Sequence, residues 1–170
     1  MKAIRFVFCL FTALLLTTLD SQAAGDEDFQ TFLKKFTSST SFQYSRIKFP
    51  LKSPIILLKD DGETEQKFSF TREKWPLLDE EALKEGRVTE EEGGVYISHF
   101  TVNQPAHKEF EAGYDESEVS LRVVFDLVEG KWYVTDCYND WYNLDVPVGD
   151  LNETIRSVQE ENKAFQKAHP

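Results

Sequence analysis

Asp136 has the clearest opening for chemistry in this 170-residue chain. It lies in Glu118–Asn139, where two β-rich runs flank Glu129-Gly130. A two-residue turn with Gly between such runs predicts a hairpin. With Glu129 and Gly130 as the turn, Val128 faces Lys131, Leu127 faces Trp132 and Phe125 faces Val134. Counting on, Val123 faces Asp136 and Leu121 faces Tyr138, all on one side of the sheet. That side is apolar except for Asp136, and Cys137 falls on the opposite side. Burial would raise the pKa of such a carboxyl into the range of a general acid or base. His99 or Tyr138 would assist it. Two plainer alternatives stand beside this one. A bulge after Val134 would turn Asp136 outward, or Asp136 would form a buried ion pair with Arg46 or Arg122.

The remaining chemistry is sparse. His99 sits in a predicted strand, His107 in a predicted loop and His169 at the tail, so each reads first as a satisfied or solvated histidine. No His-Glu-x-x-His or Cys-x-x-Cys spacing is present, which argues against zinc. Asp136, Asn139, Asp140, Asn143 and Asp145 form an oxygen-rich run, but they lack the glycine and terminal glutamate of a calcium loop. We read that run as an acidic solvated turn and expect neither metal nor cofactor. Trp132, Tyr133, Tyr138, Trp141 and Tyr142 cluster in sequence, and aromatic residues in strands belong mostly to cores. Trp141 and Tyr142 lie past the strand and are the better ligand contacts. The candidate ligand residues are therefore Phe125, Trp132, Asp136, Tyr138, Trp141 and Tyr142.

The elements that must position these groups follow from composition and period. The chain is 41% apolar with fourteen Phe and three Trp, enough for a real core without disulfides. Lys2 and Arg5 precede an apolar run from Phe6 to Leu16, and Ser21-Gln22-Ala23 offers a cleavage site. We read residues 1–23 as a signal peptide cut after Ala23, or after Ala24 as second choice, and residues 24–170 as one domain. The apolar run is too short for a span of ~20 residues. The protein is then exported, to the periplasm or the extracellular space, with no integral span. Cys9 leaves with the signal and Cys137 remains alone, more plausibly buried than paired with another chain. The net charge is −11, and losing the signal makes it one unit more acidic. This argues against nucleic acid and anionic membranes as partners.

Phe29, Phe32, Leu33 and Phe36 recur at helical spacing, with Gly25 or Asp26 as cap. Phe42 to Leu51 reads as an extended edge piece, since Pro50 removes a ladder donor. Ile55–Lys59 and Glu65–Thr71 read as a hairpin around Asp60-Asp61-Gly62. Asp79 would cap a short helix through Leu83. Glu90–Gly94 reads as a loop, Val95–Val102 as a strand, and Asn103–Ser117 as a long polar loop. Leu151, Ile155, Val158 and Phe165 mark a C-terminal helix, with Asp150 and Glu153 placed as a capping box.

The aromatic helix, then Phe42-Gln43-Tyr44-Ser45-Arg46-Ile47-Lys48-Phe49-Pro50-Leu51, Lys74-Trp75-Pro76-Leu77 and Gly130-Lys131-Trp132-Tyr133, carry a resemblance. Together they resemble exported proteins of Gram-negative bacteria grouped as domain of unknown function family 4348. The resemblance implies a nuclear transport factor 2-like (cystatin-like) α+β fold, a strongly curved antiparallel sheet wrapped on the N-terminal helix. It implies no activity and no site residues. Folds of this type often hold a cone-shaped pocket between sheet and helices. The expected function is a non-catalytic module of the cell envelope that binds a small molecule or an envelope protein. The alternatives are a small enzyme of proton transfer or hydrolysis using Asp136, and an inhibitor or assembly partner acting through its loops.

Overall fold

The computed structural model describes residues 25–91, 94–115 and 119–169. The signal segment expected at residues 1–23, with Cys9, lies outside the described residues. Helix α1 (Phe29–Phe36) buries Phe29, Phe32 and Phe36. Its cap is Asp28, whose carboxylate accepts from the Thr31 N–H at 2.8 Å, and not Gly25 or Asp26.

A second short helix, α2 (Thr40–Ser45), replaces the first part of the extended piece expected from Phe42. Ser39 caps it by accepting from the Phe42 N–H. The extended run begins only after it. Ile47 pairs in parallel with Val134, and the Lys48 N–H reaches the Val134 carbonyl at 2.9 Å. The expected hairpin forms from β1 (Ile55–Leu58) and β2 (Glu65–Phe68), pairing Ile55 with Phe68 and Leu58 with Glu65, with its second strand ending short of Thr71. Its turn is tied by Asp61, which accepts from the Glu63 and Thr64 N–H groups and the Thr64 hydroxyl. The helix expected from Asp79 to Leu83 forms only turns, with Asp79 accepting from the Ala82 N–H.

The main sheet is a five-stranded antiparallel meander of β3 (Arg87–Glu91), β4 (Gly94–Asn103), β5 (His107–Tyr114), β6 (Val119–Val128) and β7 (Lys131–Asn139). Two expectations are corrected here. Arg87–Glu91 is a strand, although the residues leading into Gly94 read as loop. The stretch 103–117 is mostly β5, paired on both sides. Its composition, His-Lys-Glu-Phe-Glu-Ala-Gly-Tyr, has no β-branched residue, so local propensity is weak and the neighbouring ladders impose the strand. Only Phe110 and Ala112 signal its inward face, and both are buried.

Helix α3 (Leu151–Ala168) buries Leu151, Val158 and Asn162. Asp150 makes no side-chain cap bond, so the capping box does not form. Asn162 fastens the helix instead: its Oδ1 accepts from the Leu77 N–H at 2.7 Å, and its Nδ2 donates to the Trp75 carbonyl at 2.9 Å.

The core lies between α1 and the sheet. The Phe29 ring meets Phe100, Phe125 and Trp132 at centroid distances of 5.6, 5.4 and 5.0 Å, all edge-on. Phe32 and Phe36 meet Phe125 as well. Edge-on aromatic pairs are favoured by the ring quadrupole and add to the burial itself. These rings fill the sheet's concavity where a cone-shaped pocket was expected.

Candidate functional site

The β6–β7 register decides where the chemistry goes. Val128↔Lys131, Leu127↔Trp132 and Phe125↔Val134 pair as the turn predicts. The register then slips between Phe125 and Val124, so Thr135 has no partner of its own. Beyond it Val124 faces Asp136, Val123 faces Cys137 and Leu121 faces Asn139. A bulge inserts one residue and flips every later side chain. Asp136 therefore leaves the face of Leu121, Phe125 and Trp132, and Cys137 takes its place in the core. The bulge is held by polar contacts: the Thr135 hydroxyl donates to Asp126 at 2.5 Å, and the Lys52 N–H donates to the Thr135 carbonyl at 3.2 Å. It also removes the cost of a carboxylate on an apolar face.

On its new face Asp136 is a latch. It accepts from the Ser53 N–H at 2.9 Å, the Ser53 hydroxyl at 2.7 Å and the Cys137 N–H at 3.0 Å. The Arg122 guanidinium stands 3.9 Å away. His99 is exposed on β4, three strands from β7, or about 14 Å at the usual strand spacing. The structure thus brings no acid–base pair together from Asp136 and His99.

The other candidates divide. Phe125 and Trp132 are sealed in the core. Trp141 packs half-buried against that core. Tyr138 and Tyr142 do meet an open space, a cleft of about 650 Å³ between the end of β7, the β1–β2 hairpin and the turn after β7. That volume lies within the usual range of ligand pockets. Ile55, Phe70, Val119 and Leu144 form apolar walls, while Arg122 and Asn139 supply polar groups.

Asn139 is the telling residue. It is 4% exposed, yet neither its Oδ1 nor its Nδ2 has a hydrogen-bond partner among the described residues. The Cys137 thiol, a weak hydrogen-bonding group, interacts with its side chain but is a poor substitute for a full partner. Tyr142 is also 4% exposed with an unpartnered hydroxyl. Burial, then the charge of Glu73, pushes the Tyr142 pKa far up, so the group stays a neutral donor. Buried polar groups are nearly always satisfied, and each exception calls for a cause. Arg122 and Asn139 were visible in the sequence only as an ion-pair partner and as a member of an acidic run. No local pattern marks a side chain whose partner is missing.

A second polar cluster lies on the same outer face of the sheet. His107 Nδ1 is 2.6 Å from Asp126 and its Nε2 is 2.9 Å from Glu109. The bond to Asp126, then that to Glu109, raises the His107 pKa against the effect of burial. Burial works to raise the Asp126 carboxyl, but bonds from Thr135, His107 and Lys52 outweigh it and hold the pKa low. His107 was expected in a loop, and its place on β5 is what sets it opposite Asp126.

An N-terminal helix on a curved antiparallel sheet, with a C-terminal helix, defines a cystatin-like α+β protein. The chain is similar to a protein from Bacteroides uniformis ATCC 8492 solved by NMR, with 81% identity and a TM-score of 0.83 over 86% of this chain and 99% of that one. It is similar to a cystatin-like protein from Bacteroides caccae ATCC 43185, in a crystal structure, with 61% identity and a TM-score of 0.83 over 86% and 98%. A third, from Bacteroides ovatus ATCC 8483, gives 64% identity and a TM-score of 0.79 over 85% and 94%. A family model described as "-like:-like" matches residues 27–166, and the chain belongs to that family. No curated protein matches it.

Proposed function

We propose that this chain is an exported, non-catalytic ligand-binding module of the bacterial cell envelope, with the cleft at the end of β7 as its site. It would then be one of the domain of unknown function family 4348 proteins that its sequence resembles. One observation carries the reading: two side chains, Asn139 and Tyr142, are buried against the cleft with polar atoms that have no hydrogen-bond partner among the described residues, beyond the weak Cys137 thiol beside Asn139. An unmet buried amide costs roughly 1–3 kcal/mol, which a ligand in the cleft would recover. The enzyme alternative is less favoured, since Asp136 already accepts three hydrogen bonds, from Ser53 and Cys137. The loop-mediated alternative loses one of its loops, since most of 103–117 is β5.

The test is Asn139→Leu. A residue kept for binding at a cost to the free protein should become more stable when its unmet amide is removed. We expect calorimetry of the ligand-free variant to show a midpoint raised by roughly 2–4 °C for each ~1 kcal/mol gained. Native mass spectrometry should find a small molecule on wild-type protein purified from its envelope and none on the variant. A variant that melts well below wild type, with neither protein carrying a molecule, rejects the reading.

A further inference from the structure

We infer that the cleft takes a short extended peptide, which adds as a strand to the open edge of β7 at Cys137 and Asn139 and places a carboxylate on Arg122. This rests on the cleft being a binding site and names what it binds.

The argument starts from the edge. β7 is the last strand of the sheet, so one side of its backbone has no sheet partner. Over its first half that side is covered. The Trp132 N–H donates to Glu27 at 3.1 Å, and the Val134 N–H donates to the Arg46 carbonyl at 2.8 Å. After the bulge the outward parity moves to Thr135, whose carbonyl accepts from Lys52. A period of two then turns Cys137 and Asn139 outward. The covering segment leaves at this point, pinned at Ser53 by Asp136 and diverted into β1 at Ile55. The cleft opens in the gap. Among the described residues, no backbone bond from outside the β6 ladder reaches the Cys137 carbonyl or the Asn139 N–H. Exposed edges are usually blunted, because they pair with any extended chain. Here the edge is left open on the floor of a cavity, the geometry of strand addition.

The side chains point to the same class of occupant. The Asn139 amide presents a donor and an acceptor side by side, and an extended residue presents the matching N–H and C=O on one edge. An acyl chain offers neither group. Arg122 forms an ion pair with Asp136 at 3.9 Å, beyond hydrogen-bond reach, so among the described residues its fork keeps donors for a second carboxylate. That places a cation in the cleft of a molecule whose net charge is −11. Ile55, Phe70 and Val119 would receive an apolar side chain. The open edge from Cys137 to Asn139 spans two rises, about 7 Å, which faces roughly three residues of an added strand.

The test uses the full mature chain, labelled for NMR, and four probes. These are acetyl-Leu-Ala-Val as the free acid, its C-terminal amide, the acid N-methylated at Ala, and decanoate. We expect the free acid to shift the backbone resonances of 137–143 and to slow hydrogen exchange at the Asn139 N–H. The N-methylated peptide, which cannot complete the ladder, should bind at least tenfold more weakly. Arg122→Gln should weaken the acid by about tenfold and leave the amide unchanged, as the loss of one charge-assisted contact. Equal binding of the N-methylated peptide, or shifts from decanoate alone, overturns the peptide assignment while the cleft remains a site. No shift from any probe, with no co-purifying molecule, removes both.

Discussion

His107 shows how much one residue's meaning depends on its neighbours. Between Asp126 and Glu109 its charged form is favoured, so its folded pKa lies above the ordinary value. A raised histidine contributes stability below its unfolded pKa, near 6.5, and loses it as pH rises through the folded value. Asp126 acts oppositely. Its lowered pKa contributes above the ordinary carboxyl range and is lost as pH falls through the folded value. The pair should be most stabilising from about pH 4 to 6.5. About a third of the His107 side chain is exposed, so after screening the effect is at most ~1 kcal/mol. Urea unfolding of wild type and His107→Gln at pH 5.5 and 8 should show a gap that shrinks at the higher pH; parallel profiles would refute it. Asp136 carries the complementary lesson. Its identity, an acid in an apolar strand, was visible in the sequence and suggested a base. Three accepted hydrogen bonds make it a fastener for Ser53.

Among the elements, α2 is the one that local rules miss. Six residues are too few to hold a helix in water. The run Phe42 to Leu51 reads as extended from its alternating Ile47, Phe49 and Leu51 and from Pro50. Gln43 reverses it. Fully buried, its Nε2 donates to the carbonyls of Phe36 at 2.8 Å and Leu78 at 2.9 Å. Its Oε1 accepts from the Trp75 indole at 2.8 Å and the Leu78 N–H at 2.9 Å. One amide of α2 thus satisfies groups at α1's end and in the 75–78 bend. Replacing it with leucine strands four buried partners, each worth roughly 1–3 kcal/mol unpaired. With partial relaxation we expect Gln43→Leu to cost about 3–5 kcal/mol in urea unfolding. A loss below ~1 kcal/mol would show that the bend repacks freely.

At the scale of the whole molecule, a partly buried ion pair closes the chain. Arg46, just after α2, reaches Glu27, just before α1, at 2.7 and 3.0 Å, and also donates to the Trp132 carbonyl at 3.1 Å. Glu27 in turn accepts from the Trp132 N–H, and its own carbonyl takes the Trp132 indole at 2.8 Å. Helix entry, helix exit and β7 meet at this point. Removing one charge leaves the other partly desolvated, so Glu27→Gln should cost about 1–3 kcal/mol, while an Arg46→Met, Glu27→Leu double variant should recover part of it. Denaturation of the three proteins checks this, and an additive double variant would count against it. Burial works to raise the Glu27 carboxyl, yet the bonds from Arg46 and Trp132 prevail and lower its pKa. The contribution therefore holds above the ordinary carboxylate range and fades as pH falls through the folded value.

The sequence alone determined what short-range rules govern. The aromatic face of α1 follows from helical spacing. The hairpin follows from Glu129-Gly130, both at positive φ as such a turn requires, and so do its first pairings. The face of α3 follows from its period. Tertiary structure decided what depends on distant partners. Asp136 turned outward because Thr135 bulged toward Asp126 and Ser53 arrived from 83 residues away. β5 became a strand because β4 and β6 pair with it on both sides. The cleft exists because the segment covering β7 stops at Ser53, leaving Asn139 buried beside an open edge with its amide unpartnered among the described residues except by the weak Cys137 thiol.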